Sequence, residues 1–85
     1  MNVNWEALAR ATAHPLQVSI LELLTIDGGR SLSPNEMSQE LQRPINNVSY
    51  HAGVLREAEL IEPAGEQPVR GATEHFYRLA KGIHQ

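Results

Sequence analysis

The stretch PINNVSYHAGVL, Pro44 to Leu55, gathers two amides, a hydroxyl, a phenol and an imidazole between Asn46 and His51. Each of these groups makes directional hydrogen bonds, and together they suit recognition better than core packing. With Val48 centred on a buried helix face, a turn of about 100° per residue sets Ile45, Ala52 and Leu55 beside it. Asn46, Ser49, Tyr50, Gly53 and Glu57 then fall opposite, with Asn47 and Val54 at the flank. Asn pairs bidentately with adenine, Ser takes a phosphate or a base edge, and Tyr reaches a phosphate or a thymine methyl. Other roles compete at some positions. Asn46 and Asn47 follow Pro44 closely enough to serve a helix start. His51, at the border of the buried face, is either a satisfied, partly buried imidazole or a phosphate contact. Gly53 costs about 1 kcal/mol against Ala inside a helix, so it either permits close approach to DNA or a partner, or sits where the surface tolerates it.

The bases extend this pattern. Arg43 precedes the Pro44 helix and is placed for a phosphate. Arg70, beside Pro68 and Gly71, is a candidate for insertion into a minor groove, or else a solvated loop charge. Arg56 lies far from the reading end and reads as a surface charge, while Arg78 and Lys81 contact phosphate or keep the chain soluble. The net charge of −3 runs against a nucleic-acid partner. It is unevenly spread, however: all of the deficit falls in residues 1–42, and residues 43–85 balance five bases against five acids. Any electropositive face therefore belongs to the second half. Catalysis finds no support, for there is no glycine-rich phosphate loop, no HExxH and no Cys. His14, His51, His75 and His84 lack ligand spacing on one helix, so neither a metal nor a cofactor is expected.

The elements that must hold these residues form one domain over residues 1–85. Asn4 caps a first helix with Trp5, Leu8, Ala9, Thr12 and Ala13 as its stripe, interrupted by His14-Pro15. Pro15 opens a second helix lined by Leu16, Ile20, Leu23 and Leu24, which Asp27-Gly28-Gly29 closes with a left-handed glycine. Arg30-Ser31-Leu32 suits a three-residue strand. Ser33-Pro34-Asn35-Glu36 is a capping box that starts a short third helix with Met37 and Leu41 inward. Gln42-Arg43-Pro44 turns into the fourth helix, about 45–58. Strands near 60–65 and 72–79, joined by a polar loop, make a hairpin. The fold class is mainly α with a small β-hairpin, a winged helix-turn-helix with its wing over about 60–79.

The segments HPLQVSILELL, LSPNEMSQEL, NNVSYHAGVLREAELIEP and EHFYRLA together resemble the ArsR-type winged-helix transcriptional regulators. The resemblance spans roughly residues 5 to 80 and is most specific over Val48–Glu62 and Glu74–Ala80. It implies a homodimer on palindromic double-stranded DNA, with the helix Ile45–Ala58 in the major groove and the hairpin as wing. By position, Asn46, Asn47, Ser49, Tyr50 and His51 fall in the recognition helix and Arg70 in the wing. The chain departs from the family where a bulky apolar residue and an arginine often follow Ser-Tyr-His, because Ala52 and Gly53 stand there instead. The family's metal ligands are missing. Only six residues follow Leu79, so a homodimer must use the first helix, around Trp5 and Leu8; a monomer is the other option.

The expectation is a sequence-specific DNA-binding regulator, a repressor acting by operator occupancy. The alternative is a protein-interaction module that keeps the winged frame and has lost DNA binding, as the acidic balance and Gly53 suggest. With no signal peptide and no long apolar run, a cytoplasmic, non-membrane protein is expected.

Overall fold

The computed structural model describes Glu6, Ala9 and residues 13–81. Glu6 and Ala9 are helical, and the rest of the segment expected to form the first helix, Trp5 and Leu8 included, lies outside the described residues.

Helix α1 runs from Pro15 to Thr25. Proline suits its first turn, and His14 caps it from an extended backbone, its Nδ1 accepting the Leu16 N–H at 3.1 Å. Leu16, Ile20, Leu23 and Leu24 are buried as their spacing predicts, and Gln17 is buried with them. The stop differs from the glycine cap expected. Ile26 is already extended after Thr25, and the left-handed turn begins at Asp27, with φ 58°, before Gly28. Arg30 then closes the helix end: its backbone N–H donates to Leu24 O and its Nε to Leu23 O.

In place of a three-residue strand, Leu32 alone bridges Tyr77, through reciprocal backbone bonds of 3.0 and 2.9 Å. Ser33 follows as the N-cap of α2, Pro34–Leu41, and its capping box with Glu36 is complete in both directions. The same fully buried hydroxyl donates to Glu74 of the hairpin, tying the wing to the α2 start. Gln42 leaves α2 at φ 54°. The Ser38 hydroxyl donates to Arg43 O at 2.6 Å, which holds the turn into α3, Ile45–Glu57.

Helix α3 packs through Val48, Ala52 and Leu55, three buried residues at i, i+4 and i+7. They meet Ile20, Leu24, Met37 and the hairpin-base residues Ile61 and Leu79 in one cluster. Truncating Leu55 to Ala there costs about 2–5 kcal/mol. Ile45, expected on the buried face, is 39% exposed. It is the first residue of the helix and projects beyond the core toward Val69 and Tyr77.

Strands β1, Ile61–Val69, and β2, Ala72–Leu79, pair antiparallel as a two-stranded ribbon. They run further than the sequence pattern suggests, because Pro63, Gly65 and Pro68 read as loop residues. In a two-stranded ribbon both strands are edges, so a proline N–H can be dispensed with on the open side. Ala64 is the extra residue of a bulge between Pro63 and Gly65. The expected loop shrinks to Arg70-Gly71.

Candidate nucleic-acid interface

The surface of α3 divides by what each flank meets. Away from the core, Asn46, Asn47, Ser49, Tyr50, Gly53 and Glu57 are exposed, Tyr50 at 68%. No side-chain polar atom of Asn46, Asn47, Ser49 or Tyr50 has a hydrogen-bond partner among the described residues. The N-cap of α3 is Pro44, which offers no side-chain bond, so neither Asn46 nor Asn47 caps the helix.

On the wing flank, Ile45, Ser49 and Arg56 face the hairpin across a groove of linked hollows. One of about 440 Å³ lies between Arg56 and His75, Glu66 and Tyr77. Another, of about 290 Å³, lies between Ile45, Ser49, Val69 and Thr73. A third, of about 170 Å³, opens where Gly53 has no side chain, beside Ser49, Arg56 and Tyr77. A methyl group added at Gly53 would meet nothing within 4 Å. No contact among the described residues therefore requires glycine.

On the α1 flank, His51 is half-buried. Its Nδ1 donates to Gln17 Oε1 at 2.8 Å, since a carbonyl oxygen only accepts. Its ring stacks on His14 at 4.0 Å between centroids and meets the edge of Tyr50 at 5.1 Å. Burial, followed by the charges of His14 and Arg43, holds its pKa below the ordinary 6.5.

Arg70 and Gly71 form a two-residue turn closed by the Val69–Ala72 pair, with φ of 45° and 81°. Two positive φ values mark the primed turn that suits ribbon twist, and Asn-Gly is its preferred sequence. An arginine at the first of these positions is strained by about 1 kcal/mol.

Charge pairing separates the bases. Arg30 bonds Glu40 at 2.7 Å, Arg78 bonds Glu62 at 2.8 Å, and His75 lies 3.8 Å from Glu66. The Arg78 hydrogen bond holds the Glu62 carboxyl below its ordinary range. Arg43, Arg56 and Arg70 are exposed and form no ion pair among the described residues. They stand at the start of α3, in the wing groove and at the wing tip.

The sequence-predicted residues thus form one surface only in part. Arg43, Asn46, Asn47, Ser49 and Tyr50 share one end of α3, His51 turns toward α1, and Arg70 stands apart at the hairpin tip. Sequence reading missed His14 and Gln17 as the neighbours of His51, Glu74 as the partner of Ser33, and the place of Arg56 on the groove. The first two carry no local signal, because their partners lie on other elements. Arg56, at i+3 from Gly53, carried one in its helical phase.

A family model described as a helix-turn-helix domain matches residues 12–64. The chain belongs to this helix-turn-helix family. Two solved structures of HlyU from Vibrio cholerae N16961 are similar to it throughout. The reduced form, 25% identical, has a TM-score of 0.72 over 91% of this chain and 73% of that one. The other, also 25% identical, has a TM-score of 0.68 over 95% and 83%. No curated protein sequence matches. The helix pair α2–α3 with its following hairpin is a winged helix-turn-helix, the architecture of DNA-binding transcription regulators. No helix among the described residues is long and apolar enough to cross a membrane.

Proposed function

We propose that this helix-turn-helix protein is an ArsR-type, sequence-specific regulator that represses transcription by occupying an operator in double-stranded DNA. The observation that carries the reading is the outer face of α3, where the polar side chains of Asn46, Asn47, Ser49 and Tyr50 project with no hydrogen-bond partner among the described residues. Unpaired amides and a phenol at the leading end of a recognition helix match the chemistry of base edges. Arg43 and His51 then contact phosphates, and Arg70 reaches the neighbouring minor groove. A second copy, docked through the segment containing Trp5 and Leu8, supplies the symmetric half-site. The chain is a cytoplasmic binding protein rather than an enzyme.

A protein-interaction role is the competing reading. It is favoured by the net charge of −3 and by the exposed Ile45 and Val69 beside the wing groove. Selection of the purified protein against a random duplex library at two salt concentrations decides between them. Enrichment of a two-fold symmetric site, weakened by salt, supports the dimeric regulator. Enrichment of one unsymmetric half-site indicates a monomer. No enrichment at low salt rejects DNA reading in favour of a protein partner.

A further inference from the structure

His14, His51 and Arg43 come from three different parts of the chain: the cap of α1, the middle of α3, and the turn between α2 and α3. His51 meets the His14 ring at 4.0 Å, Gln17 Oε1 at 2.8 Å and the Tyr50 ring edge at 5.1 Å, and it lies within the field of Arg43. Among the described residues these are the groups that face it from α1, from the turn and from its own helix, and none is a carboxylate. The contrast with the other cationic groups is informative. Arg30 and Arg78 each pair with a glutamate and His75 lies near one, while Arg56 and Arg70, unpaired like Arg43 among the described residues, have no imidazole stack beside them. This cluster instead stacks two imidazoles at the positive end of α1, where an anion is favoured electrostatically, with Arg43 in the turn leading into the His51 helix. It is open to solvent, since His14 and Arg43 are exposed and His51 is half-exposed.

We propose that the His14–His51 stack and Arg43 form a seat for one DNA backbone phosphate, and that filling it places a proton on His51, so that DNA binding tightens on acidification. The proposal rests on the DNA-binding reading above. The proton comes from solvent and goes to His51 Nε2, because Nδ1 already carries the hydrogen donated to Gln17. His14 is fixed in the complementary sense, its Nδ1 accepting the Leu16 N–H. In the free protein the covering His14 ring and the nearby positive charge oppose protonation. A phosphate reverses the sign of that local field, so binding and proton uptake are coupled.

The test measures affinity for a duplex taken from the selection, at fixed salt, from about pH 8 to about pH 5.5, across the ordinary imidazole range. The wild-type chain gains up to about tenfold per pH unit while the pH lies between the free and bound values of His51. His51→Gln, which keeps a donor for Gln17, loses that gain. His14→Asn, which keeps an N-cap, removes the covering ring, lifts the free value of His51 and reduces the gain. His75→Gln, on the wing, keeps it. In parallel, the His51 imidazole followed by NMR titrates at higher pH once duplex is added. A wild-type pH dependence retained by His51→Gln, or an imidazole titration unmoved by duplex, overturns this inference and leaves the DNA-binding reading standing. Failure of the wild type to bind any duplex at any pH overturns both.

Discussion

Gly53 offers the sharpest separation of stability from recognition. It occupies an interior position of α3, and its backbone is helical with no positive φ. Gly53 lines the 170 Å³ hollow, and a Cβ built there touches nothing within 4 Å. Gly53→Ala therefore gains helix propensity without overpacking, worth about 1 kcal/mol. For a domain of this size that raises the thermal midpoint by about 4–8 °C. Gly53→Arg gains a similar amount and also introduces a basic residue where the ArsR-type regulators that the sequence resembles often carry one. With the position on the exposed face, its guanidinium adds one phosphate contact, steepening the slope of log K against log salt by about 0.9. Denaturant or thermal melting measures the first effect, and duplex binding at several salt concentrations the second. The Ala variant should bind DNA as the wild type does. If Gly53→Ala fails to stabilise, the space around it is not as open as the structure has it. If both variants weaken DNA binding, glycine is needed for close approach and the added-contact argument is wrong.

The base-reading face predicts that Asn47→Ala and Tyr50→Ala lose discrimination between sequences, each by about 1–3 kcal/mol, in competition binding with mismatched sites. Arg70→Asn should relieve the left-handed strain and stabilise the hairpin by about 1 kcal/mol in denaturant melts, while weakening all DNA sequences alike. Ser33→Ala removes the α2 cap and strands the Glu74 carboxylate, and melting should show a loss of about 1–3 kcal/mol. For the free protein, the lowered pKa of His51 means that the fold favours the neutral ring. That contribution is complete above 6.5 and is lost as the pH falls through the lowered value. Denaturation midpoints should therefore drop on acidification more for the wild type than for His51→Gln.

Much of this fold is legible because its signals are local. The capping box from Ser33 to Glu36 lies within one turn, and Val48, Ala52 and Leu55 announce their face by spacing alone. Periodicity misleads at Ile45, where the helix has only just begun and the core does not reach. The wing was partly hidden because Pro63, Gly65 and Pro68 are punctuation in most contexts. Only a ribbon with two open edges admits them as strand residues. Contacts between elements leave no trace in sequence spacing: nothing local joins His14 to His51 or Ser33 to Glu74.

The acidic composition, which argues against DNA, has a different meaning once the pairs are known. Arg30 and Arg78 are spent on Glu40 and Glu62, so they add little to an external field. Among the described residues Arg43, Arg56 and Arg70 are the arginines left without an ion pair, and three such phosphate contacts would give a salt slope of about −2.7 per copy. Binding to arbitrary DNA is driven by such contacts and should be weak. On the proposed reading, the rest of the affinity for a true site comes from base contacts by Asn46, Asn47, Ser49 and Tyr50, which reward only the right sequence. A regulator with few free charges and a polar reading face thus trades general grip for discrimination, and its net charge of −3 is compatible with DNA recognition.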